Sequence, residues 1–558
     1  MGVFTFLPCG AGGIIIRVET DIRRGIPGID ISGLAEGAVR EARERVRAAF
    51  RNSGFKFPAD RILINLAPAG LKKDGAALDL PIALSVIAAA GIVPVSGNLL
   101  VMGELELSGK VRPVRGVLAA ISAGIGEGIT EFIVPAENAG EAAILASAQN
   151  NNSVNHNSDT YASLGVSGEK KTQFTAVDSL QSAVHALLIR EEKGSLPASF
   201  VTSHNTMPQE NETNNAGDFS DVFGQAVYKR ALEIAAAGGH NVLAFGPPGA
   251  GKTMLARQIQ SIMAPLSLSE AVEVTRLHSL AGPHRNTSDG SVNQFIDRLI
   301  TKPPLRSPHH TASAQGILGG GRIPRPGEIS LAHFGILFLD EAPEFKINVL
   351  QALREPLEDR LISIARADGQ VRLPAEFQLL MTANSCRCGR LGIRGGDNVC
   401  LCSSEEINRY WRKFGGALLD RVEIRVPVLP PKIDELYSNN RYGNNHCEKN
   451  ETSAEIARRV IAAVEIQRAR YKNTEIRRNA LLPAGKISAF CSMNENALHA
   501  FHTAVSKLGF SGRAYHGILR VARTIADLES KETIETEHIL EAVQHRRLGD
   551  DPWDIMEI

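Results

Sequence analysis

A glycine-rich turn near the middle of the sequence ends in a lysine and a threonine. An apolar run precedes the turn and an amphipathic run follows it, in the stretch NVLAFGPPGAGKTMLARQI. The turn consists, in order, of Gly246, Pro247, Pro248, Gly249, Ala250, Gly251, Lys252 and Thr253. Between a strand and a helix, such a loop lets backbone N–H groups approach phosphate oxygens, and the helix N-terminus adds a favourable dipole. We therefore expect the turn to bind ATP, with Lys252 on the β- and γ-phosphates and the Thr253 hydroxyl on Mg²⁺.

A second apolar run, in GILFLDEAPEF, ends in the acidic pair Asp340 and Glu341. Open α/β sheets bind ligands at the carboxyl ends of their strands, which is where this pair would lie. Alone, the pair is typical of a solvated strand end. Together with the P-loop upstream, it indicates that Asp340 organises Mg²⁺ and that Glu341 polarises the attacking water.

A third apolar run, EFQLLMTANS, leads to Asn384. A neutral amide at this place can orient the same water beside Glu341 without adding charge near the γ-phosphate. An ordinary turn asparagine is the alternative interpretation. We expect Asn384 to face the γ-phosphate.

Two arginines have positions that suit catalysis between subunits. Arg421, in GGALLDRVEIRV, follows a predicted helix and precedes a strand, and Arg513, in LGFSGRAYHGILRVAR, begins a helix. An arginine supplied by a neighbouring subunit stabilises transition-state charge and makes hydrolysis depend on assembly. From spacing alone, a surface salt bridge explains either residue equally well.

Four of the seven cysteines lie in one short glycine-rich segment; they are Cys386, Cys388, Cys400 and Cys402. The C-x-C spacing of each pair is tighter than the spacing of two to four residues that is usual in zinc fingers. Four thiolates still suit tetrahedral coordination, and a closed four-ligand site is structural rather than catalytic. We expect Zn²⁺ here, with an iron–sulfur cluster or free thiols as the alternatives.

The composition excludes several classes of protein. Lys plus Arg and Asp plus Glu each number 61 in 558 residues, so any basic surface for nucleic acid must be local. The sequence has no apolar run long enough to span a membrane, and its start lacks the pattern of a signal peptide. Cys9, Cys447 and Cys491 stand alone, which does not indicate a disulfide framework. We therefore expect a cytoplasmic protein with no membrane partner.

The pattern of apolar residues predicts an α/β protein with more than one domain. The stretches SAQNNNSVNHNSD and SLPASFVTSHNTMPQENETNNAG are polar and without periodicity, which is typical of disorder and of linkers. We predict a mixed α/β domain at 1–190 with a disordered insertion at 150–172, a linker at 191–217, a parallel α/β ATPase core at 218–430 with a cysteine knuckle at 386–402, and an α-helical lid at 431–558.

These motifs together resemble the ComM/YifB family of magnesium-chelatase-like AAA+ ATPases. The resemblance covers nearly all residues outside the two polar stretches. Its carriers include GLAEGAVREARERVRAAFRNSGFKFP, NLAPAGLKKDGAALDLPIAL, GELELSGKVRPVRGVL, RSPHHTAS, RPGEISLAHFGILFLDEAPEF, GGALLDRVEI and RAYHGILRVARTIADL. The resemblance implies that Asn384 is the first sensor, that Arg421 is an arginine finger acting in trans, and that Arg513 is the second sensor.

The N-terminal domain resembles the Lon-protease fold, whose peptidases use a serine in a DGPSAG-type turn and a lysine further on. Here the turn KKDGAALDL puts Ala77 at the serine position, and GKVRPVRGVLAA puts Leu118 at the lysine position. Neither side chain can act as nucleophile or base. We expect this domain to be a scaffold for oligomerisation or nucleic-acid contact rather than a peptidase.

The segment RLISIARADGQVRLP predicts a β-hairpin with its turn at Asp368 and Gly369. In related AAA+ motors a hairpin before the first sensor faces the central pore, where Arg366 and Arg372 could contact phosphates. A solvated edge hairpin is the alternative. The resemblance also implies an insertion at roughly residues 300–335, between the P-loop helix and the catalytic strand that ends in Asp340. It holds His309 and His310, which suit structural packing better than a shared metal ion.

A second basic cluster, RYWRK at Arg409–Lys413, follows the cysteines. Tyr410 and Trp411 within it either stack on exposed bases or anchor the segment in the core. Such clusters would contact mainly phosphates, so the expected DNA binding is salt-dependent and shows little sequence preference.

The resemblance implies a hexameric helicase that uses ATP and Mg²⁺ to promote branch migration on single-stranded and branched DNA, in homologous recombination and natural transformation. The residues themselves indicate an ATPase, but they do not indicate that it acts on DNA. A magnesium-chelatase motor subunit and an AAA+ remodelling chaperone are the alternatives. Stimulation of ATP hydrolysis by DNA distinguishes the helicase from both.

Overall fold

The structure is a computed structural model of the 558-residue chain. It describes residues 2–33, 37–70, 73, 75–95, 98–150, 172–193, 195–197, 217–282, 296, 298–321, 324–366, 369–392, 400–430, 450–549 and 553. None of the helices in these ranges combines the length and the apolar character that crossing a membrane requires. The insertion at 150–172 and the linker at 191–217 lie mostly outside the described residues, so both stay predictions.

The N-terminal part of the chain forms a seven-stranded mixed sheet with helices against it. The strands of this part of the chain are β1 (Gly2–Cys9), β2 (Gly12–Arg23), β3 (Gly28–Ser32), β4 (Arg61–Ala67), β5 (Leu99–Val101), β6 (Glu104–Leu105), β7 (Val111–Arg112), β8 (Glu131–Pro135) and β9 (Gln173–Val177), of which all but β6 and β7 belong to the sheet. The sheet order is β3-β4-β2-β1-β5-β8-β9, and β6 pairs separately with β7. The helices are α1 (Gly37–Asn52), α2 (Asp79–Ala89), α3 (Val117–Gly126), α4 (Ala139–Asn150) and α5 (Leu180–Lys193). The mixed α/β domain expected from the sequence is confirmed.

The side chains of β4 explain how this sheet buries one face. Successive side chains of a strand point to opposite faces, and in β4 the buried Ile62 and Ile64 alternate with residues such as the exposed Arg61. Helix α2 is buried almost all round, because it packs against both the sheet and α1. The fully buried carboxylate of Asp79, at the start of α2, accepts two hydrogen bonds from Arg45 of α1 (2.7 and 3.0 Å). This pairing offsets the cost of removing the carboxylate from water.

The central part of the chain forms a five-stranded parallel sheet. Its strands are β10 (Val242–Gly246), β11 (Leu305–Arg306), β14 (Ile336–Leu339), β17 (Gln378–Asn384) and β18 (Ile424–Pro427), in the order β11-β14-β17-β10-β18. Every residue of β10 and β14 is buried, as expected of a parallel sheet with both faces covered. The helices are α6 (Ala226–Gly238), α7 (Lys252–Gln258), α8 (Leu268–Ala281), α9 (Ala314–Leu318), α10 (Glu328–Leu331), α11 (Ile347–Ala352), α12 (Arg354–Asp359), α13 (Ser404–Trp411) and α14 (Gly416–Leu419).

Two small antiparallel pairs project from this sheet. Strands β12 (Gly319–Gly320) and β13 (Arg325–Pro326) lie in the insertion before the catalytic strand. Strands β15 (Leu361–Arg366) and β16 (Gly369–Pro374) form the hairpin that the sequence predicted. Residues 367–368 of its turn lie outside the described residues.

The C-terminal part is helical, as the sequence predicted. Its helices are α15 (Ser453–Arg470), α16 (Ile487–Phe490), α17 (Glu495–Leu508), α18 (Gly512–Leu528) and α19 (Thr536–Arg547). The Asp527 carboxylate is fully buried and accepts from Arg470 (2.9 Å) and from Asn479 (2.8 Å). Helices α15 and α18 pack against α6, which places this helical lid on the helix that precedes β10.

The N-terminal domain docks on the central part through the β1–β2 turn and the start of α3. The Gly10 N–H donates to the Pro324 carbonyl (3.1 Å), and a Cβ atom on Gly10 would lie 2.4 Å from a methyl carbon of Val371 in β16. The Gly116 N–H donates to the Ser279 carbonyl near the end of α8 (3.2 Å). The predicted hairpin is therefore packed on the N-terminal domain along part of its length.

Candidate nucleotide site

The P-loop is the turn between β10 and α7. Gly249 (φ 78°) and Gly251 (φ 86°) both adopt the left-handed conformation, which other residues adopt only at a cost. Gly251 is the N-cap residue of α7, so its conformation sets the direction in which the helix leaves the turn. The strand, turn and helix predicted from the sequence are all present.

The Lys252 ammonium group lies inside this turn. It donates to the carbonyls of Gly246 (2.8 Å) and Pro247 (2.7 Å) and to the side-chain oxygen of Asn384 (3.3 Å). Burial lowers the pKa of Lys252 to about 8, because a charged amine is disfavoured away from water. The structure therefore brings Lys252 and Asn384 together, as expected if both face the same phosphate.

The Asp340 carboxylate lies beside Thr253 at the ends of neighbouring elements. The Thr253 hydroxyl donates to Asp340 Oδ1 (2.9 Å), and the Thr382 hydroxyl donates to the same oxygen (2.6 Å). Carboxylate and hydroxyl oxygens are hard ligands of the kind that Mg²⁺ prefers. The residues that the sequence assigned to Mg²⁺ are thus in contact with each other.

Glu341 has a left-handed backbone conformation (φ 51°), which is uncommon for a residue with a side chain. Its N–H donates to the Thr382 hydroxyl (3.0 Å), and its own side chain is exposed at the end of β14. Thr382 therefore holds both acidic residues. No sequence motif marks Thr382, although it lies two residues before Asn384 on one strand, a spacing that puts both side chains on the same face.

Two further residues hold the backbone of the P-loop in place by hydrogen bonds. The side-chain amide of Gln225 donates to the carbonyls of Ala250 (3.0 Å) and Leu429 (2.6 Å). The buried Tyr228 hydroxyl donates to the Lys252 carbonyl (3.3 Å). No sequence signal marks either residue, because side chains that bond to backbone carbonyls follow no motif.

The two predicted arginines lie together on one acidic side chain. Arg421 forms an ion pair with Glu358, and Arg513 donates to the other carboxylate oxygen of Glu358 (3.0 Å). They line a cavity of about 540 Å³ with further charged side chains that include Arg360, Asp420, Arg520 and Arg546. Either of the alternatives weighed for them, surface salt bridge or catalytic arginine, fits this pairing.

These arginines lie near the amino ends of the strands, whereas the P-loop of the same chain follows the carboxyl end of β10. The Arg421 carbonyl accepts a hydrogen bond from the side chain of Asn241 (2.8 Å), the residue immediately before β10. The P-loop follows the other end of this strand. A strand of five residues spans about 16 Å, which exceeds the reach of one arginine side chain. Arg421 therefore does not reach the phosphates bound by its own chain in this conformation.

The four cysteines of the knuckle converge on one point. The Sγ–Sγ distances are 3.3 Å for Cys386–Cys388 and 3.6 Å from each of these to Cys400. All four sulfurs lie within 4.8 Å of one another, and no other such group occurs among the described residues. A Zn–S bond of about 2.3 Å places tetrahedral ligands about 3.8 Å apart, so the four thiols fit this ion.

Comparison with known proteins finds relatives that match this chain over nearly its full length. Family models match at residues 218–436 (Magnesium chelatase, subunit ChlI), 18–138 (Subunit ChlI of Mg-chelatase) and 450–546 (Magnesium chelatase, subunit ChlI C-terminal). The uncharacterized protein YifB of Salmonella typhimurium is 38% identical over 98% of this chain and 97% of its own. The competence protein ComM of Haemophilus influenzae is 37% identical over the same shares. The chain belongs to the ComM/YifB family of magnesium-chelatase-like AAA+ ATPases.

A shorter similarity links this ComM/YifB member to Lon proteases. Lon protease 2 of Bacillus subtilis is 30% identical over 154 residues, which are 27% of this chain and 26% of the protease. The fold class is accordingly a Lon-protease-like α/β domain, a P-loop AAA+ core with a parallel sheet, and a small helical lid.

In this ComM/YifB member, the two positions matched to the Lon catalytic pair pack against one apolar core. Leu118 is fully buried in that core, and Ala77 packs against it. The Leu118 N–H donates to the buried carboxylate of Glu141 (2.8 Å), and Ser279 of α8 donates to the same oxygen. Burial raises the pKa of Glu141. The lysine position is thus part of the joint between two domains.

The aromatic pair in the RYWRK cluster is a core anchor. Tyr410 and Trp411 are each only 5% exposed, and the Trp411 indole N–H donates to the Ser385 carbonyl (2.9 Å). Of the two alternatives, core anchoring agrees with this burial and base stacking does not, because Ile407, Tyr410 and Trp411 form the buried side of helix α13. Arg409 of this cluster and Arg372 of the hairpin are exposed.

The adjacent histidines belong to no group of metal ligands among the described residues. Their rings lie 4.1 Å apart, and the exposed His309 contacts the Thr311 hydroxyl through Nδ1 (2.8 Å). His310 packs edge-on against Phe345 (6.5 Å). The packing role preferred for His309 and His310 agrees with these contacts.

Proposed function

We propose that this chain is a cytoplasmic, ATP-driven, ring-forming motor on single-stranded and branched DNA, a hexameric helicase that promotes branch migration in homologous recombination and natural transformation. The observation that carries the proposal is near-full-length similarity to a protein named competence protein ComM, combined with a P-loop whose polar partners are assembled. The family relationship gives the ATPase. DNA as the substrate and six as the subunit number are parts of the proposal.

In the proposed reaction, Lys252 binds the β- and γ-phosphates, and Thr253 and Asp340 hold Mg²⁺. The metal, when bound, neutralises charge on the phosphate oxygens. Glu341 polarises the attacking water, and Asn384 orients it. Thr382 positions both acidic residues, because its hydroxyl donates to the Asp340 carboxylate and accepts from the Glu341 N–H.

Both arginines act on a neighbouring subunit in this proposal. Arg421 lies too far from its own P-loop to contact the γ-phosphate, so its use in catalysis requires the P-loop of another copy. Arg513 shares Glu358 with Arg421 and must face the same neighbour. Glu358 holds both guanidinium groups at the interface until a bound nucleotide competes for them.

We also propose that Cys386, Cys388, Cys400 and Cys402 hold a structural Zn²⁺ ion. The Leu391 N–H donates to the Cys386 sulfur, and the Arg390 N–H donates to the Cys388 sulfur. Backbone donors of this kind stabilise thiolates that bind a metal. Four protein ligands close the coordination shell, so this ion has no part in hydrolysis.

For DNA, the proposed contacts are arginines that bind phosphates, of which Arg372 and Arg409 are exposed. Arg372 lies on strand β16, and Arg366 ends strand β15 of the same hairpin. Arg409 adds a charge beyond the knuckle. A ring presents several copies of each contact to one strand, so individually weak contacts reinforce one another.

The names of the matching family models favour a second candidate, a magnesium-chelatase motor subunit. A remodelling chaperone is the third. Both would hydrolyse ATP without any response to DNA, and the chelatase would require a partner subunit that binds a porphyrin.

The test is a fluorescent four-way junction or fork incubated with the purified protein, Mg²⁺ and ATP. We expect conversion of the substrate by the wild type, none by Glu341→Gln, and faster ATP hydrolysis when DNA is present. A protein that hydrolyses ATP at the same rate with and without DNA, and converts no branched substrate, would contradict the helicase proposal and favour the other two.

A further inference from the structure

The cysteine knuckle is in direct contact with the P-loop. Gly389 lies against Pro248, so closely that a Cβ atom on Gly389 would be 2.7 Å from the Pro248 Cδ atom. Gly389 has a φ of 77°, and its N–H donates to the Cys386 carbonyl (3.0 Å). The turn that begins at Cys386 and ends at Gly389 therefore lies against the P-loop, and only glycine fits at the point of contact.

A second connection joins the knuckle to the P-loop lysine. Asn384, whose side chain accepts from that lysine (3.3 Å), is separated from Cys386 by Ser385 alone. The Ser385 carbonyl is fixed by the Trp411 indole N–H (2.9 Å), and the buried Cys386 lies in the same apolar core as Trp411. A shift of the first cysteine pair would therefore reach both Pro248 and the strand end that carries Asn384.

We propose that the knuckle couples two ligands: Zn²⁺ on the four thiols strengthens nucleotide binding at the P-loop, and bound nucleotide strengthens Zn²⁺ binding. This inference rests on the ATP and zinc sites proposed above and adds the link between them. A metal that joins the four sulfurs fixes Gly389 against Pro248, whereas unbridged thiols leave that turn free to move. The coupling is reciprocal, because each ligand must change the affinity of the other by the same factor.

The first measurement uses the wild-type full-length protein. Its affinity for Zn²⁺ is determined by competition with a chromogenic chelator, with and without saturating Mg²⁺ and a slowly hydrolysed ATP analogue. Its affinity for a fluorescent ATP analogue is determined with and without Zn²⁺. We expect both affinities to rise by the same factor, about 5- to 100-fold. Lys252→Ala controls for chelation of Zn²⁺ by the nucleotide, since it keeps the thiols and lacks the main phosphate contact.

The second measurement uses Gly389→Ala, which adds one methyl group at the contact and leaves all four cysteines in place. We expect about one Zn²⁺ per chain in this variant, from the four-ligand stoichiometry, but weaker nucleotide binding and no effect of nucleotide on Zn²⁺ affinity. Gly54→Ala is the matched control, because Gly54 has the same φ of 77° and an added Cβ would meet no atom within 4 Å. Leu401→Ala controls for a change inside the knuckle, because Leu401 is 87% exposed.

The outcomes separate the coupling from the two sites on which it depends. Absence of metal from freshly prepared, reduced protein overturns the zinc site, and absence of nucleotide binding overturns the ATP site. If both ligands bind and neither changes the affinity of the other, the coupling alone is wrong. If Gly389→Ala does not fold, the wild-type measurement still decides between coupled and independent sites.

Discussion

The nucleotide site and the position matched to the Lon lysine use buried polar groups in opposite ways. At the nucleotide site, Lys252 and Asp340 each bond to side chains that could exchange those bonds for a phosphate or a metal. At the Lon position, Glu141 is committed to the Leu118 N–H and to Ser279 of another domain. The same chain thus contains one polar cluster arranged for ligands and one that holds domains together.

The comparison shows that a family resemblance does not extend equally to every site within it. The N-terminal sheet keeps the Lon-like fold, but Ala77 and Leu118 supply no nucleophile and no base. The AAA+ core keeps both its fold and the P-loop sequence, with Lys252 and Thr253 in contact with Asn384 and Asp340. Function must therefore be argued site by site, and the predictions below test the two sites against each other.

The largest effect is expected at the P-loop lysine. Lys252→Ala should abolish ATP binding, because it removes the buried ammonium group that lies inside the turn. Glu341→Gln should keep ATP binding and lose turnover, since the phosphate contacts stay intact. Equilibrium binding of a fluorescent ATP analogue and steady-state hydrolysis measure the two effects. Equal nucleotide affinity in the wild type and the lysine variant would refute the assignment.

The next effect concerns the shared pair of arginines. Arg421→Ala should still bind ATP but lose turnover by about 10³-fold or more, because transition-state charge is left uncompensated. Mixed with Lys252→Ala, it should regain part of its activity, since one type of interface then combines an intact P-loop with an intact arginine. Hydrolysis by defined mixtures measures the recovery. Failure to recover despite demonstrated co-assembly would argue against action in trans.

A smaller effect follows from the buried state of Lys252. In the nucleotide-free protein its pKa is lowered from 10.5 to about 8, and bound phosphate must raise it again. Above pH 8 binding therefore requires proton uptake, and Kd should increase with pH by up to about tenfold per unit. Below pH 7 this lysine should contribute no further change. Titration of a fluorescent ATP analogue in excess Mg²⁺ between pH 7 and 9 tests the direction, and a Kd that falls over this range would contradict it.

The smallest effect on nucleotide binding is expected from the Lon-like domain. Glu141→Ala leaves the Leu118 N–H and the Ser279 hydroxyl without their acceptor, a loss of about 1–3 kcal/mol. The midpoint of thermal unfolding should fall, while the Kd for ATP stays unchanged. Glu137→Ala is the control, because Glu137 is exposed in the same domain. A large loss of ATP affinity without any change in the unfolding midpoint would show that the two sites are not separate.

Local spacing was sufficient to predict which residues meet at the P-loop of the AAA+ core. A strand, a glycine-rich turn and a helix fix the relative positions of Gly246, Lys252 and Thr253 over a few residues, so the sequence carries their geometry directly. Asp340 and Asn384 could be placed because parallel strands end at the same edge of a sheet. The same logic predicted the hairpin and the helical lid.

Contacts between segments distant in sequence could not be predicted in this way. Thr382 and Gln225 act through hydrogen bonds whose partners lie far along the chain. In the sequence, Trp411 suits base stacking and core packing equally well, and only the fold shows that this side chain is buried. The pairing of Arg421 with Glu358 likewise depends on two elements that no local pattern connects.

The sequence by itself predicted the ATPase fold, the contacts among Lys252, Thr253, Asp340 and Asn384, and the placement of Ala77 and Leu118 at the Lon positions, because each depends on residue identity at short spacing. Only the tertiary structure decided that Glu141 joins two domains, that Arg421 lies at the opposite end of β10 from its own P-loop, and that Gly389 packs on Pro248. The physical reason is that burial and close packing are properties of surfaces brought together by folding, and a single residue or motif does not specify its partner across such a surface.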